Sequence, residues 1–261
     1  MKITIVVICY SSIACIQSLG ALRKDMRQEV ECELFLHSRQ PAAEQGCAEF
    51  ASRSGVHYRD YGMNRGVSAS WNEGILAAQS CGAEVIIVVN DDIAFAAGDI
   101  EKIAARAVAH RDSYIISCAG THLVYGRRLP SMGYSCFAIN PVALEKLGCF
   151  DENIFPAYCE DQDYAYRAQL AGMHEQNCAD TNLTHMGSAS IRSSPLLLGQ
   201  NAITQGKNLA YYRQKWGGMA GAETFRVPFN NPRLSVRIAP ENRGSPYGPA
   251  YDRHDRHIVR M

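Results

Sequence analysis

Two carboxylates follow a strongly apolar run near the middle of the sequence. Residues 84–89 are rich in Val and Ile, and Asn90-Asp91-Asp92 comes directly after them. Ligands of open α/β sheets collect at the carboxyl ends of strands, so Asp91 and Asp92 are well placed to hold a hard divalent cation. A cation bridging a diphosphate would neutralise a departing nucleotide. The alternative is a polar turn, since Asn and Asp favour strand exits.

A second group of acids stands at residues 160–163, after the apolar segment 154–159. In the first interpretation these acids begin a helix, Asp163 pairs with Arg167 one turn later, and Gly172 ends the helix. That interpretation accounts well for Asp163 and less well for three acids behind an apolar loop. Burial there would raise the pKa of a carboxyl group and make it a usable general base.

A single histidine, His185, stands in the short segment Thr184-His185-Met186. A lone histidine is more often structural than a metal ligand. The interpretation of His185 as a metal ligand is favoured only if His185 lies beside the carboxylates. Asp92, His185 and diphosphate oxygens together would make a reasonable Mn²⁺ or Mg²⁺ shell.

The first two-thirds of the chain alternates strand-like and helix-like segments. Strands are predicted at residues 3–9, 33–37, 57–58, 84–89, 114–118 and 135–139. Helices are predicted at residues 41–53, 99–109 and 141–147, and along the apolar faces Ile13, Ile16, Leu19, Leu22, Met26 and Val67, Trp71, Ile75, Ala78. The pattern predicts an α/β fold with a mainly parallel sheet flanked by helices. The strand at 84–89 should be buried on both faces.

Composition excludes some classes of protein. Of the 261 residues 47% are apolar, and 26 basic side chains balance 26 acidic ones, so no global field attracts nucleic acid or an anionic membrane. No run approaches the roughly 20 apolar residues of a membrane span. The β-branched N-terminus suits a buried strand better than a signal peptide. Ten scattered cysteines without a CxxC pair favour reduced thiols, and we therefore expect a cytoplasmic protein.

The C-terminal part differs in character. From Pro228 onward prolines, glycines and arginines dominate, which predicts an irregular extension at 220–261 behind a single domain at 1–219. We expect this arm to pack on the domain or on a partner subunit, which would make a homodimer. Residues 226–261 hold seven arginines against three acids, so contact with a polyanion such as nucleic acid is the alternative to a solvated arm.

Taken in order, these pieces resemble the family 2 glycosyltransferases, which have the GT-A fold, a Rossmann-like α/β architecture. The resemblance covers about residues 3–190. It lies in the opening strand 3–10, the segment Asn64-Arg65-Gly66-Val67-Ser68-Ala69-Ser70-Trp71-Asn72-Glu73-Gly74, and Val89-Asn90-Asp91-Asp92. It continues through Gly148-Cys149-Phe150-Asp151-Glu152, Glu160-Asp161-Gln162-Asp163 and His185.

The resemblance implies an inverting hexosyl- or pentosyltransferase that uses a nucleotide-diphosphate sugar and Mn²⁺ or Mg²⁺. Asn90-Asp91-Asp92 stands at the family's DxD motif, so Asp92 would bind the metal, with His185 at the late metal-ligand position. The implied donor contacts are Tyr10 and Ser11 with the nucleotide, Asp91 near the ribose or sugar, and Asn64, Gly66, Asn72 and Asn90 along the donor pocket. Asp161 matches the catalytic base, with Glu160 as its neighbour.

Departures from the family pattern limit what is implied. Asn90 replaces the first Asp of the DxD motif, and the strand at 34–38 lacks the Asp that often reads the base, so uracil recognition is not implied. Residues 211–218 and 225–229 resemble some bacterial and phage-encoded members. Acceptors there are glycans, proteins or modified, hydroxymethylated DNA bases.

Two other functions stay open at this point. A binding protein would have kept the fold and lost the chemistry, and a nucleotidyltransferase on the same fold would release diphosphate instead of a nucleoside diphosphate. The joint presence of Asp92, Asp161 and His185 favours the transferase. All three must converge on one cleft for the hypothesis to hold.

Overall fold

The computed structural model describes residues 1–22, 29–187 and 195–252. Its strands are β1 Lys2–Cys9, β2 Glu29–Leu36, β3 Val56–Asp60, β4 Val85–Asn90, β5 Ile93–Ala94, β6 Ile115–His122, β7 Arg127–Leu129, β8 Cys136–Ile139 and β9 Gln176–His185. Its α-helices are α1 Ala14–Leu22, α2 Pro41–Ala51, α3 Val67–Ser80, α4 Asp99–Ala109, α5 Pro141–Lys146, α6 Glu160–Leu170 and α7 Pro195–Trp216. Met26, expected on the first helix, lies outside the described residues.

One sheet runs through the molecule in the order β3-β2-β1-β4-β8-β6-β9-β5, with β7 paired to β6. The strands β3, β2, β1 and β4 are parallel, and so are β6 and β9. Strand β8 runs antiparallel between β4 and β6, and β5 is antiparallel to β9. Most paired residues therefore belong to parallel ladders, and the predicted α/β fold is confirmed.

Apolar layers cover both faces of the sheet. Successive side chains of a strand point to opposite faces, so Ile5 and Val7 of β1 pack with α1, α2 and α4 while Val6 and Ile8 pack with α3, α5 and α6. The predicted burial of β4 on both faces is confirmed, because its residues Val85 to Val89 are all buried. These two layers hold the carboxyl ends of β1 and β4 at one edge, where the polar residues lie.

The sequence analysis did not predict three of the strands. Strand β9 is polar at most positions and buries only Cys178, Thr181 and Leu183, so it carries no apolar run. Strands β5 and β7 are two and three residues long. Short or polar strands give no periodicity to detect, yet β9 delivers His185 to the site.

Residues 217–252 lie against the domain. Ile238 forms an isolated parallel bridge with Gly148, and its carbonyl accepts the Cys149 N–H at 2.8 Å. Ile238 and Tyr247 are buried. Contact of this arm with a partner subunit stays a prediction, and residues 253–261 lie outside the described chain. Within the described ranges no helix has both the length and the apolar character needed to cross a membrane.

Candidate active site

An open cleft of about 400 Å³ lies at the carboxyl ends of β1 and β4. Its lining includes most of the residues singled out from the sequence, namely Tyr10, Asn64, Asn90, Asp91, Asp92, Glu160, Asp161 and His185. The three side chains on which the hypothesis depends, Asp92, Asp161 and His185, thus share one cavity. Ser11, Gly66 and Asn72 are not among its lining residues.

Strand pairing brings Asp92 and His185 together. In the antiparallel ladder of β5 and β9, Ile93 lies opposite His185, and the Met186 N–H donates to the Asp92 carbonyl at 2.9 Å. The His185 Nε2 then lies 3.3 Å from Asp92 Oδ2. Asp92 is buried and His185 is mostly buried, so this pair forms one polar end of the cleft.

The neighbouring Asp91 has a structural task. Its Oδ2 accepts the backbone N–H groups of Tyr10, Ser11 and Ser12 at 2.8, 2.9 and 2.9 Å. Burial raises the pKa of Asp91 to about 6, although the three N–H groups pull it down and Asp92 pushes it up. Asp91 therefore holds the turn after β1 in place, and its contact with a ribose or sugar stays a prediction.

The segment before α3 shapes the cleft through backbone geometry. Asn64 Oδ1 accepts the Gly66 N–H at 2.9 Å, and Gly66 has φ 82° with room for no Cβ, because Phe155 Cδ2 would lie 2.8 Å away. Asn72 exchanges two hydrogen bonds with the Phe150 backbone, at 2.9 and 2.8 Å. The buried amide of Asn72 thus ties α3 to that backbone, and its role in the donor pocket stays a prediction.

The loop before α6 places the two acids at the helix start. Tyr158 and Cys159 both have left-handed backbones, φ 74° and 78°, a costly conformation for residues other than glycine. Asn208 of α7 holds this loop, because its Nδ2 donates to the carbonyls of Ala157 and Tyr158 at 2.7 and 3.0 Å. Asn208 is fully buried, and the loop it fixes presents Glu160 to the cleft.

Asp161 has the environment of a general base. It lines the cleft, and its Oδ1 accepts the Gln162 N–H at 2.8 Å. Burial raises the pKa of its carboxyl group above the ordinary value of 3.8. A raised pKa makes a carboxylate a better proton acceptor.

Glu160 is more deeply buried. Burial and the adjacent Asp161 raise the pKa of Glu160 from 4.5 to about 8, and its Oε2 has no hydrogen-bond partner. Its carboxyl group is therefore mainly protonated at neutral pH. The predicted catalytic neighbour of the base is thus a neutral group that can both donate and accept a hydrogen bond.

We expect Glu160→Gln to stabilise the native state in a pH-dependent way. The pKa of Glu160 is higher in the folded protein, so the wild type loses stability as pH rises from about 4.5 to about 8. The glutamine variant escapes this cost and should gain about 4 kcal/mol near pH 8 and almost nothing near pH 4. Urea denaturation at both pH values measures the gain. Equal gains at both would contradict the assignment, and Glu145→Gln, at an exposed position of α5, is the control.

A buried ionic network lies behind α6. Lys215 Nζ lies 2.8 Å from Asp151 Oδ2 and 2.5 Å from Asp163 Oδ1, and Arg167 Nε donates to Asp163 Oδ2 at 3.0 Å. The Trp216 Nε1 also donates to Asp163. Both acids and both bases are fully buried. The spacing of Asp163 and Arg167 in the sequence predicts a helical i,i+4 pair. Nothing in the sequence predicts that this pair is buried together with Lys215.

The end of β2 carries a histidine in place of the absent aspartate. His37 lines the cleft, and its Nε2 lies 2.7 Å from Ser70 Oγ. Burial, with Arg65 nearby, lowers the pKa of His37 to about 4, so its imidazole is neutral at pH 7. A neutral imidazole offers one donor and one acceptor nitrogen.

Sequence reasoning missed several lining residues. They are His37, Met132, Gly133, Tyr134, Ser135, the loop Phe155 to Tyr158, and Asn201 and Thr204 of α7. Most lie on loops whose sequences carry no motif. Asn208 in the middle of α7 is one signal that could have indicated the role of this helix. Asn is unfavourable inside a helix unless its side chain forms hydrogen bonds.

The charges of the cleft are unbalanced. Four carboxyl groups line it, and among the described lining residues none is Lys or Arg. Within the described chain no three His, Cys, Asp or Glu side chains cluster as a metal site. Asp92 and His185 are two side chains that could serve as metal ligands, and two ligands would leave further coordination positions for a bound molecule.

Comparisons with known proteins bear on this arrangement. Residues 5–134 match the family model described as glycosyl transferase family 2. A galactofuranosyl glycosyltransferase from Leishmania donovani is 33% identical over 97 residues, which make up 36% of this chain and 21% of that protein. The chain therefore spans about a fifth of the length of that curated relative.

Solved structures show the same architecture. A mannosyltransferase from Pyrobaculum calidifontis, in complex with GDP-Man and Mn²⁺, superposes with a TM-score of 0.54 at 13% identity, over 78% of this chain and 62% of that one. Residues 1–349 of S. aureus TarS, in complex with UDP-GlcNAc, superpose with a TM-score of 0.56 at 14% identity, over 85% and 74%. Residues 5–134 are thus similar to glycosyl transferase family 2, and the described domain has the GT-A fold of these glycosyltransferase structures.

Proposed function

We propose that this protein is an inverting, metal-dependent glycosyltransferase that moves a hexosyl or pentosyl group from a nucleotide-diphosphate sugar to an acceptor hydroxyl. The observation that carries the proposal is the single cleft in which the Asp92–His185 pair and Asp161 meet. The donors bound in the related structures, GDP-Man and UDP-GlcNAc, support a nucleotide sugar.

The residues at one end of the cleft fit a divalent cation. A carboxylate and an imidazole are ligands that Mn²⁺ accepts, and Mg²⁺ also binds through one or two carboxylates and substrate phosphates. Without a positive charge, a diphosphate in this cleft would be repelled by the aspartates at 91, 92 and 161, and no Lys or Arg is found among the described lining residues. When bound, the cation would stabilise the negative charge that develops on the leaving diphosphate. Asp92 and His185 are the residues that would hold it.

Asp161 supplies the base for the acceptor. Its ionised carboxylate takes the proton of the acceptor hydroxyl as that oxygen bonds to the anomeric carbon. The bond from this carbon to the diphosphate oxygen breaks in the same displacement, and its electron pair leaves with the nucleoside diphosphate. Attack from the side opposite the leaving group inverts the anomeric configuration. The raised pKa of Asp161 favours this proton transfer.

Asp92→Ala should separate metal-assisted donor binding from binding in general. Loss of one of two protein ligands is expected to weaken the Mn²⁺-dependent affinity for UDP or GDP by at least about tenfold. Isothermal titration with Mn²⁺ and with EDTA measures the difference. Asp112→Ala, at an exposed position outside the cleft, should bind like the wild type. An unchanged Mn²⁺ dependence in Asp92→Ala would contradict the metal assignment.

The reaction class has its own test. A screen of nucleotide sugars for thermal stabilisation with Mn²⁺ identifies the donor, because a ligand that binds only the native state stabilises it. Turnover of that donor should release a nucleoside diphosphate. Release of inorganic diphosphate instead would assign a nucleotidyltransferase. Donor binding without any turnover, across glycan, protein and hydroxymethylated DNA acceptors, would indicate a binding protein.

A further inference from the structure

Three buried polar atoms on residues that line the cleft lack a hydrogen-bond partner, namely Trp71 Nε1, Tyr134 OH and Glu160 Oε2. Of these residues, Trp71 and Glu160 are each less than a tenth exposed. Buried polar groups in folded proteins are almost always paired, and an indole N–H can only donate. Unpaired groups on residues that line one cavity indicate that a ligand completes them.

The indole of Trp71 is held rigidly. Its ring meets Phe137 and Phe150 edge-on, with centroids 5.4 and 5.1 Å apart, and lies 6.5 Å from Tyr134. The next residue, Asn72, ties α3 to the Phe150 backbone. The ring cannot turn its N–H toward another partner without breaking this packing, so the donor has a fixed direction.

Glu160 is equally constrained. It is the first residue of α6, after the left-handed Tyr158 and Cys159 and the loop that Asn208 holds. Its carboxyl group is mainly protonated at neutral pH because burial raises its pKa to about 8. A protonated carboxyl group donates one hydrogen bond and accepts others, which is also what a sugar hydroxyl does.

The walls of the cleft suit an uncharged sugar ring. Aromatic side chains line it at Tyr10, Trp71, Tyr134, Phe155 and Tyr158. Such rings offer apolar faces for the C–H groups of a sugar, and the polar atoms between them fix its orientation. No Lys or Arg is found among the described lining residues, whereas Asp161 stands beside Glu160. A carboxylated sugar would meet like charge here without a cationic partner.

We propose that Trp71 and Glu160 form a hydroxyl-recognition pair for the transferred sugar, and that the pair selects an uncharged sugar. The Trp71 N–H donates to one hydroxyl, and the Glu160 carboxyl group exchanges a hydrogen bond with a neighbouring one. Both residues of the pair are buried and line the same cleft as Asp92 and His185, the residues proposed to hold the cation at the donor diphosphate. This inference rests on the proposed function.

The test compares a nucleotide sugar with its own nucleotide. Isothermal titration with Mn²⁺ uses UDP-glucose, UDP-galactose, UDP-GlcNAc, UDP-glucuronic acid and GDP-mannose, each beside UDP or GDP. For the tightest-binding nucleotide sugar, Trp71→Phe and Glu160→Leu should each weaken affinity by about tenfold and leave the nucleotide unchanged. Glu160→Gln should stay within about threefold of the wild type, because an amide also donates and accepts. Gln162→Leu, an exposed position of α6, is the control.

The outcomes separate this inference from the proposed function. The recognition pair alone would be overturned if a variant bound the nucleotide sugar and the nucleotide with equally weakened affinity. It would also be overturned if Glu160→Leu bound both with the affinity of the wild type. Tightest binding of UDP-glucuronic acid would overturn the selection of an uncharged sugar. Failure of the unaltered protein to bind any nucleotide sugar would overturn the proposed function and this inference with it. The unchanged nucleotide affinity also shows that each variant is folded.

Discussion

Asp161→Asn is expected to transfer sugar about 1,000-fold more slowly than the wild type while binding the donor equally well. Asparagine keeps the shape of the side chain and cannot take a proton from the acceptor hydroxyl. The loss should fall on kcat, because the proton moves only in the reaction and not when the donor binds. Initial rates with the donor and acceptor of the wild type, together with donor titration, measure both quantities.

The pH dependence of the same variant gives an independent readout. The base must be ionised, so the rate of the wild type should fall as pH drops through the pKa of Asp161, which burial raises above 3.8. That acid limb should disappear from the residual activity of Asp161→Asn. Asp112→Asn, exposed and outside the cleft, should keep both the rate and the limb. An acid limb that persists unchanged in Asp161→Asn would assign the base to another residue.

The architecture could be predicted from the sequence because its signals are local. The β-branched run of β4 and the proline at the start of α2 are each sufficient to place an element. The meeting of Asp92 and His185 depends instead on the ladder between β5 and β9, two strands without apolar periodicity. The position of Asp161 depends on the loop before α6 that Asn208 holds. Only the family resemblance pointed to that convergence.

A family resemblance did not predict which side chain of α3 would line the cleft, as Trp71 shows. Trp71 and Asn72 are neighbours on α3, and consecutive helical residues point about 100° apart. The family pattern drew attention to the polar Asn72, whereas the structure turns Asn72 toward Phe150 and Trp71 toward the cleft. The rotation of a helix about its axis depends on tertiary packing, here the aromatic contacts of Trp71, and no short motif encodes it.

Lys215→Met should cost about 3–5 kcal/mol of unfolding free energy, because it leaves the buried carboxylate of Asp151 without a cation. Burial alone would lower the pKa of Lys215, yet Asp151 and Asp163 raise it above its ordinary value, so the ammonium is charged. Within the network Asp151 pairs with Lys215 and with no other cation, so removal of Lys215 leaves the Asp151 carboxylate unpaired. Asp163 keeps its pair with Arg167. Methionine fills a similar volume, so lost packing contributes little.

Urea denaturation at neutral pH measures this loss, with Arg213→Met as the control. Arg213 is an exposed cation on the same helix, and its replacement should change stability by less than about 0.5 kcal/mol. Adding Asp151→Asn to Lys215→Met should recover part of the loss, because the stranded carboxylate is then neutral. A loss below about 1 kcal/mol would mean that Asp151 is protonated or hydrated in the variant. Since Asp163 lies in the first turn of α6, two residues from Asp161, the network also fixes the helix that carries the proposed base.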